Sequence, residues 1–253
     1  MKQLLLAAAL LSSMFVRAAS PEIYEIRIYH FKTMAQLQRV SDYLRTAHLP
    51  ALHRQGIKAV GVFQPIVQDT ADLRIYVFVP YKSFGHFSQL QVRLGRDAQL
   101  QAAGKDYIDA PHDQAPYARM ETILLQAFSG MPVMELPKLT GPKSARVYEL
   151  RSYESPTEKY YHNKVKMFNA GDEIGIFRKL NFNAVFYGEV LAGARMPNPM
   201  YLTTFVSQED RDAHWKAFSA DADWKKLSAE EEYKNNVSKN EKFFLRPMEY
   251  SDI

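Results

Sequence analysis

The chain has 253 residues, 47% of them hydrophobic, a formal charge of +4 and no cysteine. That is enough apolar material for one or two globular cores. The lack of cysteine excludes disulfides, thiolate metal sites and cysteine nucleophiles. A small net charge with interspersed signs argues against nucleic acid as a partner, since a nucleic-acid binder gathers Lys and Arg on one face.

At the N-terminus Lys2 precedes an apolar run from Leu4 to Leu11, and small residues follow near Ala18. This is the order of a secretory signal peptide. It predicts removal of residues 1–18 and export to a periplasmic or secreted location; an uncleaved anchor or an amphipathic presequence is the other reading. The run is shorter than the roughly 20 residues that span a bilayer, and no later stretch is long and apolar enough.

Residues 23–29, Ile-Tyr-Glu-Ile-Arg-Ile-Tyr, read as a β-strand from their β-branched and aromatic content and their alternation. Side chains two apart share a face, so Glu25, Arg27 and Tyr29 line one side and Tyr24, Ile26 and Ile28 the other. The apolar side is expected to pack on helices. The charged side is expected to face solvent, a cavity or another strand. Thr33 opens a helix whose stripe is Leu37, Val40 and Leu44; Pro50 kinks or ends it, and Gly56 closes the segment. Strands follow at 57–67, where Pro65 marks an edge, and at 73–79, which Pro80 stops. Helices are predicted at 81–94 and 96–107, a loop at 109–116 and a strand at 117–128.

Residues 131–144 hold Pro132, Pro137, Gly141 and Pro142 and read as an extended connector. Then the order repeats. Residues 147–153, Val-Tyr-Glu-Leu-Arg-Ser-Tyr, set Glu149, Arg151 and Tyr153 against Tyr148 and Leu150. Ser155, Pro156 and Glu158 read as an N-cap, first-turn proline and capping box. Tyr161, Val165 and Phe168 form the next stripe, interrupted near Gly171 and resuming to Leu180. Strands at 183–191 and 200–206, a helix from Ser207 to Ala217, another from Asp221 toward Val237 and a strand at 241–246 complete the copy.

The chain therefore divides into a first repeat, 22–130, and a second, 145–253, each β-α-β-β-α-α-β. Four strands with helices on one face make an α+β sandwich. Two such repeats can bury their uncovered sheet faces on each other, which predicts an intrachain pseudo-dimer, monomeric unless it assembles further.

Several stretches add a resemblance: the strand at 147–153, Ala-Val-Phe-Tyr-Gly-Glu at 184–189, Tyr-Leu-Thr-Thr-Phe at 201–205, Arg-Asp-Ala-His-Trp at 211–215 and Asp-Ala-Asp-Trp at 221–224. Together they resemble the NIPSNAP family, over nearly all of the second repeat and more faintly the first. The resemblance implies tandem ferredoxin-like repeats packed sheet to sheet as an intrachain dimeric α/β barrel. It carries over no catalytic residues. Family members are discussed mainly as organelle-associated binding or signalling proteins, and the wider superfamily includes monooxygenases and haem enzymes, an analogy of fold only. The first repeat departs from the pattern, since Arg-Asp-Ala-Gln at 96–99 lacks the tryptophan found at Trp224. A site can therefore work in one repeat alone.

The leading candidate site is the pair of Glu-x-Arg-x-Tyr strands, Glu25, Arg27 and Tyr29 with Glu149, Arg151 and Tyr153. On a barrel's inner face they would bind a small anionic or aromatic molecule, with Arg as a bidentate donor. The competing reading is a closed ion-pair network that satisfies buried charge. His214, with its counterpart His86, is a second candidate, as a haem ligand or general base, or else a half-buried helix residue. No zinc pattern, phosphate-cradling loop or Gly-x-Ser-x-Gly elbow occurs, so no metal and no resident cofactor is expected, with haem the one exception entertained. Function then reads as a small-molecule binding module, as a barrel-type monooxygenase or haem-using enzyme testing Arg151, Tyr153 and His214, or as a protein-interaction scaffold.

Overall fold

The computed structural model describes residues 20–253, so the predicted signal peptide lies outside the described residues. The first repeat comprises β1 (Ile23–Phe31), α1 (Met34–Tyr43), a π-helical turn (Leu44–His48), α2 (Leu49–Arg54), β2 (Gly61–Pro65), β3 (Leu73–Tyr81), α3 (Phe84–Gly95), α4 (Ala98–Ala103), α5 (Lys105–Ile108) and β4 (Arg119–Ala127). The second comprises β5 (Val147–Glu154), α6 (Glu158–Asn169), α7 (Glu173–Lys179), β6 (Phe186–Ala192), β7 (Pro199–Phe205), α8 (Gln208–Ala220), α9 (Ala222–Ala229) and β8 (Lys239–Pro247).

The strands close into one antiparallel barrel in the order β1-β3-β2-β8-β5-β7-β6-β4. Each repeat supplies four adjacent strands, β4-β1-β3-β2 and β8-β5-β7-β6, the order of a ferredoxin-like sheet. Two seams join them, β2 to β8 and β4 to β6. The expected α+β architecture of tandem ferredoxin-like repeats in an intrachain dimeric α/β barrel is the one observed.

Where the two faces of each sheet point is the reverse of the sequence expectation. Tyr24, Ile26 and Ile28 join Phe63, Phe78, Tyr148, Leu150, Phe186 and Leu202 in the cluster that fills the barrel. Tyr29 packs instead with Leu37, Val40 and Leu44 of the helical layer, and Tyr153 with Met167, Phe168 and Phe218. The Glu-x-Arg-x-Tyr faces thus lie outside the barrel, beneath helices, and not in its interior. An eight-stranded barrel is just wide enough for side chains to fill it, so the more apolar face goes inward. The interior is a packed core of rings, which corrects the expectation of a ligand held there.

Local signals mostly decided element ends. Thr33 caps α1, its Oγ1 accepting from Gln36 N at 3.2 Å. Asp221 caps α9 through Asp223 N and Trp224 N. That helix ends at Ala229, short of Val237, where Glu230, Glu231 and Glu232 put like charge at the negative end of the dipole. Ser155 does not cap α6: Thr157 holds that position, and Ser155 Oγ donates to Asn236 O at 2.7 Å. Pro80 does not stop β3, because β2 ends opposite Phe78 and a proline beyond it breaks no ladder there. Pro65 sits at no open edge; it pairs with Leu245 across the seam. The connector is pinned by Glu135 N to Val185 O at 3.0 Å, and its Met134 and Leu139 pack against the barrel core. Among the described residues no helix is long and apolar enough to cross a membrane.

Candidate functional site

The second repeat carries an open cleft of about 500 Å³ between the outer face of β5 and β8 and the helices above, lined by Arg151, Tyr153, Lys164, Trp215, Trp224 and Lys242 among others. Alternation along β5 brings Glu149, Arg151 and Tyr153 to its floor. Register sets Tyr201 of β7 directly beside Arg151. Arg211 and Trp215 stand one turn apart on α8 and so point down together.

Glu149 is 0% exposed and anchors the floor. It accepts from Arg151 Nε at 2.7 Å, from Arg211 Nε and Nη2 at 2.8 and 2.9 Å and from Trp215 Nε1 at 2.7 Å. Burial alone would raise its carboxyl, but Arg211 and Arg151 outweigh burial and hold it below the ordinary glutamate range. Arg151 is fixed as tightly. Its guanidinium carbon lies 3.5 Å from the centre of the Trp215 ring, and Nη1 donates to Tyr153 Oη at 3.0 Å. Tyr153 Oη in turn lies 2.6 Å from Tyr201 Oη, whose titration burial pushes far up. Beside this chain Lys164 Nζ donates to Glu173 Oε2 at 2.7 Å, and both side chains are buried. Burial raises the Glu173 carboxyl, with Lys164 opposing.

The first repeat uses the same triplet differently. Glu25 accepts from Arg27 Nε at 3.0 Å and from Tyr81 Oη at 2.6 Å. Tyr43 and Tyr107 stack at 3.9 Å, and Tyr29 packs edge-on to Tyr107 and Tyr117. Rings occupy the ground that is cleft in the second repeat, so the two predicted triplets are not brought into one site.

His214 is also outside the cleft. Its Nδ1 lies 2.8 Å from Asp210 O and its ring packs on Phe182 and Phe205. No histidine lines the cleft, so its donor set does not fit a histidine-ligated haem. Among the described residues no group of three His, Asp or Glu side chains could hold a metal ion. Sequence reasoning missed Arg211, Tyr201, Lys164 and Glu173. It placed Val165 on the buried stripe of α6, where Lys164 is the buried residue and Val165 is only partly covered. Comparing α6 with α1 would have shown it, because Lys164 falls where the first repeat has the stripe residue Val40.

An intrachain barrel of two ferredoxin-like sheets, each roofed by its own helices, defines a member of the dimeric α/β barrel class. Residues 148–252 match the family model of NIPSNAP. Among solved structures the chain is similar to a candidate monooxygenase from Lactobacillus acidophilus NCFM, with 10% identity, 90% of this chain and 94% of that one covered and a TM-score of 0.59. A candidate monooxygenase from Fusobacterium nucleatum is similar over 90% of this chain and 93% of that one, with 10% identity and a TM-score of 0.56. A NIPSNAP family protein from Agrobacterium tumefaciens aligns with 46% of this chain and 98% of its own, at 17% identity and a TM-score of 0.38. At these identities the likeness is one of fold. No curated protein matches the sequence.

Proposed function

We propose that the cleft of the second repeat binds a small planar organic anion. The observation that carries this is Arg151. Two of its nitrogens are committed to Glu149 and Tyr153, one face is covered by Trp215, and Nη2 makes no hydrogen bond among the described residues. A guanidinium so held is a preorganised donor for a carboxylate or phenolate. Trp215, Trp224 and Phe218 supply flat apolar walls, and exposed Lys242 adds a cation without an ion pair among the described residues. The volume is within the range of small-molecule sites.

Thermal unfolding with salicylate as the probe tests the reading. Millimolar salicylate should raise the melting temperature of the wild type and leave Arg151→Leu unchanged. That variant retains a paired Glu149, because Arg211 and Trp215 still donate to it. Equal shifts in the two proteins would sink the proposal.

A second reading is enzymatic, suggested by the description of the two structural relatives as candidate monooxygenases. The run Arg151–Tyr153–Tyr201 favours it, since a fixed guanidinium beside two hydroxyls 2.6 Å apart can donate hydrogen bonds to a bound phenol as its oxygen gains negative charge. Oxygen uptake with phenolic substrates, lost in Tyr153→Phe, is its signature; no uptake across a phenol panel counts against it.

A further inference from the structure

The sequence offset that relates Arg27 to Arg151 and the cap positions Thr33 and Thr157 also relates Val40 to Lys164 and Leu49 to Glu173. All four residues are buried, Val40 at 0%, Leu49 at 3%, Lys164 at 4% and Glu173 at 2% exposed. One repeat therefore builds this junction, between its first helix and the one that follows, from a valine and a leucine. The other builds it from an ion pair 2.7 Å long. The first repeat shows that the fold does not require the charges. A buried ion pair is in general no more stabilising than the apolar pair that could replace it. What distinguishes the second repeat is that its pair opens on the cleft. Lys164 and Glu173 both line it, and Lys164 Nζ lies 4.5 Å from the ring centre of Phe168, 5.3 Å from that of Tyr153 and 5.9 Å from that of Trp224.

We propose that Lys164 is a covalent site whose amine condenses with an aldehyde or ketone held in the cleft, with Glu173 carrying the proton; this rests on the cleft being a ligand site. Lysine amines in desolvated pockets near a second cation are suited to Schiff-base formation. The apolar rings surround the nitrogen, and Arg151 supplies the neighbouring charge. The ammonium passes a proton to the Glu173 carboxylate, leaving a neutral amine and a neutral acid. The nitrogen lone pair attacks the carbonyl carbon, and Glu173 returns its proton to the oxygen to give a carbinolamine. Glu173 then takes a proton from nitrogen and gives one to the hydroxyl, which leaves as water while the carbon–nitrogen double bond forms. Protonated at nitrogen, the product is an iminium beside the Glu173 carboxylate, so one ammonium and one carbonyl have become one iminium and one water. The acidic group expected of the ligand would rest on Arg151, so the substrate class is an aromatic aldehyde or ketone bearing an acid.

The test treats the full chain with limiting 4-carboxybenzaldehyde and cyanoborohydride and maps the reduced adduct by peptide mass. Lys164 should be labelled ahead of the exposed lysines. Glu173→Gln, which removes the group that carries the proton, should slow labelling at Lys164 about tenfold or more at neutral pH. The double variant Lys164→Val, Glu173→Leu, which carries the residues of the first repeat, should melt no lower than wild type and lose the preferential adduct. Labels confined to exposed lysines in a protein that salicylate still stabilises would overturn the inference and leave the binding proposal standing. Labelling at Lys164 in a protein indifferent to salicylate would do the reverse.

Discussion

At the scale of single residues, the molecule separates ionisable groups that are satisfied from one that is excluded from its charge. Glu149 is satisfied, with Arg151, Arg211 and Trp215 all donating to it. His48, in the π-helical turn, is excluded: burial first, and Arg27 second, push its imidazole down to about 3. Its contact is a long one, 3.4 Å from Nδ1 to Tyr43 Oη. Between the ordinary histidine range and that value the unfolded chain binds a proton that the folded chain refuses, so stability must rise with pH there. Its contribution is full above the unfolded value and is lost as pH falls toward 3. His48→Leu should therefore lose less stability than wild type between pH 6.5 and 5, the difference being about 2 kcal/mol. Urea melts of both proteins at the two pH values measure it. Identical losses would mean that His48 takes up its proton in the fold. The triplets Glu25, Arg27, Tyr29 and Glu149, Arg151, Tyr153 were readable in the sequence because they are written twice. Arg211 was not, because it reaches Glu149 from a helix whose docking no local pattern encodes, whereas Lys164 shows only when α6 is set against α1.

At the scale of elements, the strands were legible and their faces were misread for a physical reason. An alternating strand announces two faces but not which one meets helices. In an ordinary two-layer sandwich the more apolar face goes under the helices. In a closed barrel both faces are buried, and the interior admits only closely packed side chains. Closure also makes a demand at the seams. Gly188 of β6 stands opposite Ala127 of β4, and a β-carbon there would lie 3.0 Å from Gln126 O and 3.3 Å from Leu125 Cβ. That oxygen belongs to the paired backbone and cannot swing aside as a side chain would. Gly188→Ala should cost about 1–3 kcal/mol through overpacking. Gly95, at the end of α3, has open space at the same position, and Gly95→Ala should be neutral or stabilising by up to about 1 kcal/mol. Chemical denaturation of the two variants side by side checks the contrast, and equal effects would remove the seam from the explanation.

At the scale of the whole molecule, the two repeats share one core. The barrel cluster takes side chains from every strand, from Tyr24 of β1 and Phe63 of β2 to Leu202 of β7 and Leu245 of β8. Rings cross the join: Phe78 of the first repeat stacks on Phe186 of the second at 5.1 Å, and Phe63 lies 4.9 Å from Tyr148. The duplication seen in the sequence therefore does not give two independently stable units. A repeat opened from its partner would expose an apolar sheet face to water, at roughly 25 cal/mol for each Å². The chain supplies its own reporter, since both tryptophans, Trp215 and Trp224, are in the second repeat. Phe78→Ala removes a buried ring from the first repeat and should cost about 3–5 kcal/mol. If the barrel unfolds as one, tryptophan fluorescence must report that loss from the far side of the join. Its urea midpoint should fall together with the midpoint from far-ultraviolet circular dichroism. A fluorescence transition left in place while the dichroism splits into two steps would mean that each sheet stands alone, and that closing the barrel adds nothing to the stability of either.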